Sequence, residues 1–126
     1  MGASTNSNYA CQYNLPGTFA PIASYELLEK AVNAARALNV NTVVGNVLSS
    51  DVFYSDDKEV NNKWKKMGIL CVELEAAALY MNAARLGKKA LCLLTISDHL
   101  YTGEELSAEE RQVSFREMME VALELA

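Results

Sequence analysis

The sequence lacks the residue patterns that mark several common classes of protein. It has one histidine and three cysteines, and no CxxC pair or Cys/His cluster brings them together. This excludes the usual zinc motifs and disulfide scaffolds, so we expect no metal site and free thiols in a reducing cytoplasm. Neither a signal peptide nor an apolar run long enough to cross a bilayer is visible.

Positive charge and phosphate-binding loops are also scarce. The 126 residues contain 11 Lys and Arg against 16 Asp and Glu, a net charge of −5, which argues against nucleic-acid or anionic-membrane partners. A local basic pocket for a small anion is still compatible with this charge. No GxGxxG loop, P-loop or GxSxG elbow occurs, so neither a glycine-rich phosphate cradle nor a serine-nucleophile turn is indicated.

What the sequence does contain is an alternation of apolar stretches with helical and strand-like spacing. After a polar loop over 1–22, helices and strands are predicted in the order α, β, α, β, α, β, α, at 24–38, 42–48, 60–67, 69–73, 75–86, 90–96 and from 107 onward. Helical crossovers between short apolar strands are typical of α/β folds. We therefore predict one partial domain over 1–126, a three-layer sandwich around a mainly parallel or mixed central sheet.

The last predicted helix begins with a capping box, Ser107 to Glu110. Its predicted inward face consists of Phe115, Met118, Met119 and Ala122. Arg111 lies near the positive end of the helix dipole, where a cation is disfavoured, so it suggests a partner such as Asp98, Glu109 or a ligand. The alternative is a solvated arginine in an acidic helix.

Ligands in open α/β sheets bind where strands end and loops begin, here at 49–55, 73–75 and 97–103. Glu73 and Glu75 stand two residues apart at such a point, and residues at this spacing share a face of a strand. A carboxylate there could accept hydrogen bonds from the two hydroxyls of a sugar diol. The spacing alone favours a structural role instead, in which Glu73 ends the strand and Glu75 favours the start of the helix.

Asp98 follows the third predicted strand, and Phe53 stands in a polar loop. A half-buried carboxyl can have its pKa raised by desolvation and act as a general acid, but the position alone favours an Asp98 that starts a turn or caps a helix. His99, the single histidine, is expected to be structural or exposed. Phe53 could stack on a planar ligand or fold back onto the core.

Four segments together resemble the hexameric bacterial-type purine nucleoside phosphorylases. They are SSDVFYSDD, GILCVELEAAALY, ARLGKKALCLLTISDH and SAEERQVSF, in this order, and the likeness runs from about Gly2 to the end of the chain. VExEAA alone is shared across the wider superfamily of nucleoside phosphorylases and nucleosidases. The combination of FYS, VExEAA, TISDH and AEERQ favours the purine phosphorylase branch.

The resemblance implies an enzyme of purine salvage, a glycosyltransferase that reversibly phosphorolyses purine (deoxy)ribonucleosides to the free base and (deoxy)ribose 1-phosphate. Phosphate would be a co-substrate, with no cofactor, no nucleic acid and no membrane involved. The family implies a cytoplasmic homo-oligomer, a hexamer at full length. Two alternatives are still open: a related purine nucleosidase that uses water, and a non-catalytic, self-associating nucleoside-binding fragment.

The resemblance also implies a role for each matching residue. The purine would contact Phe53, Val72 and Ser97. The ribose shelf would be Glu73, Leu74 and Glu75, with Glu75 accepting from both hydroxyls and Leu74 replacing the family's usual methionine at similar volume. Asp98 would protonate the N7 nitrogen of the leaving purine, and Arg111 would approach late, as the last helix shifts, to stabilise the resulting carboxylate.

One expected part of the site does not match. In the family, phosphate is held by glycine and arginine residues of the N-terminal half and by a neighbouring subunit, and the present likeness begins inside what should be a central strand. We therefore expect a fold truncated at its N-terminus that lacks the phosphate site. The missing strands are expected to leave apolar surface and an open sheet edge, which promote association.

The pure 126-residue chain is accordingly expected not to release hypoxanthine from inosine, with or without phosphate, because it lacks the phosphate-binding residues. A coupled assay for free hypoxanthine on chain of verified length measures this. Phosphorolysis above the level of a protein-free blank would contradict the prediction.

Overall fold

The computed structural model describes residues 1–57 and 59–125, and the side chains of these residues other than 112–114. The chain divides into two compact units, and each unit combines two separate stretches. The first contains Met1–Tyr25 and Val43–Cys92, and the second contains Glu26–Thr42 and Leu93–Ala126. A single domain over 1–126 stays a prediction.

The first unit is built on a three-stranded parallel sheet. Its strands are β1 (Gly2–Thr5), β2 (Asn46–Ser49) and β3 (Val72–Glu73), in the spatial order β1-β2-β3. Gly2 stands opposite Asn46, and Leu48 stands opposite Val72. The predicted parallel sheet is therefore present, and the carboxyl ends of all three strands lie at one edge.

The strands are shorter than their sequence patterns suggested. β2 begins at Asn46 rather than at 42, and Val43 is 75% exposed. β3 covers only Val72–Glu73 of the predicted 69–73, and 90–96 forms no strand. β-Branched residues favour extended backbone, but a strand also requires a neighbour in register. The prediction of a loop over 1–22 is wrong for β1 and for a 3-10 helix at Tyr9–Tyr13.

The α-helices of the described residues agree closely with the predicted ones. They are α1 (Tyr25–Ala37), α2 (Val60–Lys66), α3 (Ala76–Arg85) and α4 (Ala108–Leu123). Gly68 and Gly87 follow the ends of α2 and α3 with φ of 79° and 62°, a left-handed conformation that glycine adopts without penalty. Within the described residues, no helix is long and apolar enough to cross a membrane.

The core of the first unit forms where α3 packs on β1. The buried side chains are Ala3, Ala76, Ala77, Tyr80 and Met81. Small alanines on both elements let the helix approach the sheet closely, and Tyr80 fills the space beside them. The Tyr80 hydroxyl accepts a hydrogen bond from the backbone N–H of Cys92 at 3.0 Å, and burial raises the pKa of this phenol.

A returning segment covers part of the outer edge of β1. The backbone N–H of Ala3 donates to the Pro21 carbonyl at 2.9 Å, and that of Ala23 donates to the Met1 carbonyl at 2.8 Å. The expectation of an open sheet edge is therefore wrong at these positions, because the chain pairs with its own strand. Apolar surface is nevertheless exposed beside it, since Ile22 is 67% exposed.

In the second unit, α4 begins with the predicted capping box. The Ser107 hydroxyl accepts from the Glu110 backbone N–H, and the Glu110 carboxylate accepts from the Ser107 backbone N–H. The predicted inward face is only partly correct. Phe115 and Met118 are half-buried, whereas Met119 and Ala122 are exposed. The helix turns Val121 inward instead, so the buried stripe is offset from the one that the spacing suggested.

Replacing Tyr80 with Phe is expected to lower the free energy of unfolding by about 1–2 kcal/mol, because the part-buried N–H of Cys92 loses its acceptor. Urea unfolding measures this loss. Tyr54→Phe is the matched control, since Tyr54 is 88% exposed and its hydroxyl meets water. Equal effects of the two substitutions would show that the Tyr80 hydroxyl contributes nothing.

Candidate functional site

The carboxyl edge of the parallel sheet collects polar side chains from all three strands. The Thr5 hydroxyl at the end of β1 donates to the Ser49 carbonyl at 2.7 Å. The backbone N–H of Ser50 donates to the Glu73 carbonyl at 2.9 Å. Parallel strands bring their carboxyl ends to the same edge, so residues distant in sequence meet here. Glu73 and Glu75 therefore lie where the sequence placed them, at the junction of β3 and α3.

Both oxygens of the Glu73 carboxylate accept hydrogen bonds from within the protein. One oxygen accepts from the Ser49 hydroxyl. The other accepts from the backbone N–H groups of Glu75 and Ala76, each at 2.7 Å. These two N–H groups lie at the start of α3, where a helix has donors without helical partners and favours negative charge. Glu73 thus caps the start of α3, a structural role that the sequence analysis had considered for Glu75.

Glu75 is the N-cap residue of α3, yet its side chain does not cap the helix. The residue is exposed, so its carboxylate faces solvent. Of the two glutamates, Glu75 is therefore the one with oxygens available to a ligand. A carboxylate in this state can accept hydrogen bonds from two adjacent hydroxyls at once.

The predicted base-contacting residues of the first unit are also accessible. Phe53 is 73% exposed and meets Tyr54 edge-on, with ring centroids 4.8 Å apart. Phe53 therefore does not fold back onto the core, and its ring is available for stacking. Val72 and Leu74 flank Glu73 and are 37% and 43% exposed.

The thiols give no sign of reactive or metal-binding chemistry. Cys11, Cys71 and Cys92 are free, and burial raises the pKa of Cys71 and of Cys92. A raised pKa keeps a thiol protonated and weakly nucleophilic. Among residues 1–57 and 59–125, no group of three or more His, Cys, Asp or Glu is arranged to hold a metal ion.

In the second unit, a tight hairpin carries Ser97, Asp98 and His99. Asp98 pairs with Glu105 in an antiparallel bridge, and the His99 backbone N–H donates to the Glu104 carbonyl at 2.8 Å. The Nδ1 atom of His99 accepts from the backbone N–H groups of Tyr101 and Thr102, at 3.3 and 3.1 Å. His99 is thus a structural residue of the turn.

Asp98 and Arg111 form an ion pair across this hairpin. Asp98 Oδ1 accepts from Arg111 Nη2 at 2.8 Å, and Asp98 Oδ2 accepts from the Ser97 hydroxyl at 2.7 Å. Arg111 Nε donates to the Leu106 carbonyl at 3.0 Å, which fixes the guanidinium beside the hairpin. The partner of Arg111 is therefore Asp98, with Glu105 at a longer 3.9 Å.

Arg111 already lies against Asp98 in this conformation, and its late approach during the reaction stays a prediction. The guanidinium was expected to stand apart until late, but the Leu106 carbonyl already holds it against Asp98. Both oxygens of Asp98 act as acceptors here, one from Arg111 and the other from Ser97. Donation of a proton by Asp98 requires the Arg111 contact to open first. The two side chains are also about 45% and 42% exposed, so neither is deeply buried.

The described structure thus groups the predicted residues by unit. In the first unit, Val72 and Glu73 form β3, Leu74 and Glu75 follow it, and Phe53 lies in the loop after β2. In the second unit, Ser97, Asp98 and Arg111 meet. The sequence analysis missed Ser49, a buried serine at the end of β2. Its signal in the sequence was a polar residue at the end of an apolar strand, and in the sheet it stands opposite Glu73.

The phosphorylase superfamily matches residues 2–126. The purine nucleoside phosphorylase DeoD-type of Psychromonas ingrahamii is 56% identical over 125 residues, which cover 98% of this chain and 52% of that protein. The purine nucleoside phosphorylase DeoD-type 2 of Vibrio cholerae is 54% identical over 126 residues, which cover 100% and 53%. The chain therefore spans about half the length of the curated relatives it matches.

A solved structure confirms the fold. The crystal structure of purine nucleoside phosphorylase from Toxoplasma gondii in complex with immucillin-H superposes with a TM-score of 0.80. The alignment covers 98% of this chain and 52% of that chain at 15% sequence identity. The α/β class with a parallel sheet, expected from the alternation of helices and strands, is correct.

Arg111→Gln is expected to lower the free energy of unfolding by only about 1 kcal/mol, since half-exposed ion pairs contribute little. Arg116→Gln on the same helix is the control, because Arg116 pairs with Glu120 at 2.9 Å and is 82% exposed. Urea unfolding of both variants measures the difference. A loss of about 3 kcal/mol at Arg111 would contradict this, because that is the effect of breaking a buried pair.

Proposed function

The chain belongs to the phosphorylase superfamily, and on this basis we propose that it supplies the base-binding, ribose-binding and proton-donating part of a purine nucleoside phosphorylase. The proposed reaction is reversible: a purine (deoxy)ribonucleoside and phosphate give the free base and (deoxy)ribose 1-phosphate. Relatives about 55% identical to this chain carry that name. Phosphate is proposed as the co-substrate, with no cofactor.

One observation carries the proposal: Asp98 and Arg111 meet, with Oδ1 and Nη2 2.8 Å apart. Cleavage of the glycosidic bond leaves negative charge on the purine, and protonation of its N7 nitrogen makes the base a better leaving group. A positioned acid contributes roughly a hundred- to ten-thousandfold to such a step. Asp98 is proposed as this acid, and Arg111 as the group that stabilises its carboxylate after the proton has left.

The contact with Arg111 sets a condition on this mechanism. Asp98 must carry a proton when the nucleoside is bound, so Arg111 has to move away and return. The movement involves few contacts, because Arg111 Nε is held by one backbone carbonyl and the guanidinium is half-exposed. Gating of this kind by a small local shift is common in enzymes.

Glu75 is proposed to accept from the 2′ and 3′ hydroxyls of the ribose. Its exposed carboxylate supports this role, and negative charge there would also stabilise the positive charge that develops on the sugar. Phe53 is proposed to stack on the purine, Val72 and Ser97 are proposed to contact the base, and Leu74 is proposed to form part of the ribose shelf. Glu73 is assigned a supporting role, since its oxygens already accept three hydrogen bonds.

The phosphate-binding residues are proposed to lie outside these 126 residues, since the chain spans about half of its relatives. A cytoplasmic hexamer acting in purine salvage is likewise part of the proposal. The nucleosidase alternative differs in its second substrate, because water would replace phosphate. Dependence of hypoxanthine release on added phosphate separates these two reactions.

Asp98→Asn is expected to lower kcat for inosine by roughly a hundredfold or more, because the general acid is lost. The assay uses the chain co-expressed with the half of the Psychromonas ingrahamii relative that it does not cover. The same variant should change kcat for 7-methylguanosine far less, because the N7 nitrogen of that base is methylated and cationic and needs no proton.

Asp56→Asn, in the exposed loop after Phe53, is the matched control and should leave both substrates unchanged. Equal losses for inosine and 7-methylguanosine in Asp98→Asn would contradict the acid role. Base release by the wild-type pair without phosphate would support the nucleosidase instead. No base release under any condition would favour the non-catalytic fragment.

A further inference from the structure

Ser49 is a buried polar residue at the centre of the carboxyl edge of the sheet. It ends β2, is 4% exposed, and its hydroxyl has two partners. The hydroxyl donates to the Glu73 carboxylate and accepts from the backbone N–H of Ala77 at 2.8 Å. A buried hydroxyl that is fully hydrogen-bonded fixes the groups around it, because breaking either bond leaves an unpaired polar atom.

Ser49 and Glu73 together cap α3 from outside the helix. The backbone N–H groups of Glu75 and Ala76 donate to Glu73, and that of Ala77 donates to Ser49. An N-cap side chain normally satisfies donors in this first turn. Here the N-cap residue is Glu75, and its side chain makes no cap bond.

This arrangement explains why the Glu75 carboxylate is available. Since Ser49 and Glu73 satisfy the first donors of α3, Glu75 can keep the N-cap position and leave its oxygens to solvent. The same bonds fix the backbone of Glu75 through its own N–H group. A side chain that starts from a fixed backbone loses less conformational freedom when it binds.

We propose that Ser49 is a positioning residue for ribose recognition, a role that rests on the proposed function. It holds Glu73, Glu73 holds the start of α3, and the start of α3 orients the carboxylate of Glu75 toward a sugar diol. Ser49 itself does not touch the nucleoside. The Ser49 carbonyl accepts from the Thr5 hydroxyl, which holds its backbone without help from its own side chain. Loss of the Ser49 hydroxyl alone therefore removes the connection between Ser49 and Glu73.

The support that Ser49 gives to the start of α3 is tested on the 126-residue chain without a ligand. Ser49→Ala should speed amide hydrogen exchange at Ala76 and Ala77 by about tenfold, since both lose support at the helix start. Ser49→Thr keeps the hydroxyl and should restore slow exchange. Ser55→Ala is the matched control in an exposed loop and should change neither amide. Unchanged exchange at both amides in Ser49→Ala would overturn the proposal.

Ribose recognition is tested on the chain co-expressed with the complementary half of the Psychromonas ingrahamii relative. The readout is kcat/KM for inosine divided by that for 2′,3′-dideoxyinosine, which lacks the diol. Ser49→Ala should lower this ratio about tenfold, because only the diol-bearing substrate depends on an oriented Glu75. Ser49→Thr should restore the ratio, and Asp56→Asn, in the exposed loop beyond residue 55, should not alter it.

The two assays distinguish failure of the positioning role of Ser49 from failure of the proposed function. Equal losses for both nucleosides in Ser49→Ala would mean a merely structural serine and would overturn the positioning role. Absence of phosphorolysis in the wild-type pair would refute the proposed function and with it the ribose role. In that case the exchange data still decide whether Ser49 holds the junction of sheet and helix.

Discussion

The carboxylate of Glu73 joins the end of the sheet to the start of α3, and the first unit depends on this junction. Its oxygens accept from β2 through Ser49 and from the helix through two backbone N–H groups. α3 in turn packs Tyr80 and the adjacent alanines against β1. One charged side chain therefore orients the helix that covers the sheet, and leaves its neighbour Glu75 exposed at the same edge.

Sequence reasoning predicted the helices and the parallel sheet well but overestimated the strands. Helices show in the spacing of apolar residues and in local end signals, as at Ser107 and Glu110, where the capping box forms as expected. Strands require a partner that spacing along one chain does not reveal. The apolar run 90–96 was therefore wrongly predicted as a strand, and β1 was not predicted because it lies in a polar segment.

The candidate site was predictable in position but not in its division of roles. The spacing of Glu73 and Glu75 showed that two carboxylates end a strand, but not which one caps the helix. That depends on Ser49, which comes 24 residues before Glu73 and meets it only through the parallel pairing of β2 and β3. The position of Arg111 near the positive end of the helix dipole indicated that it needs a partner. The hairpin brings Asp98 next to it, which the sequence had offered as one of three candidates.

The hairpin around His99 selects one tautomer of its neutral imidazole ring. Because Nδ1 accepts from two backbone amides, the neutral ring carries its hydrogen on Nε2, and one tautomer is selected. The same two contacts tie the backbone of Tyr101 and Thr102 to the ring, so the shape of the turn that follows Asp98 depends on this side chain.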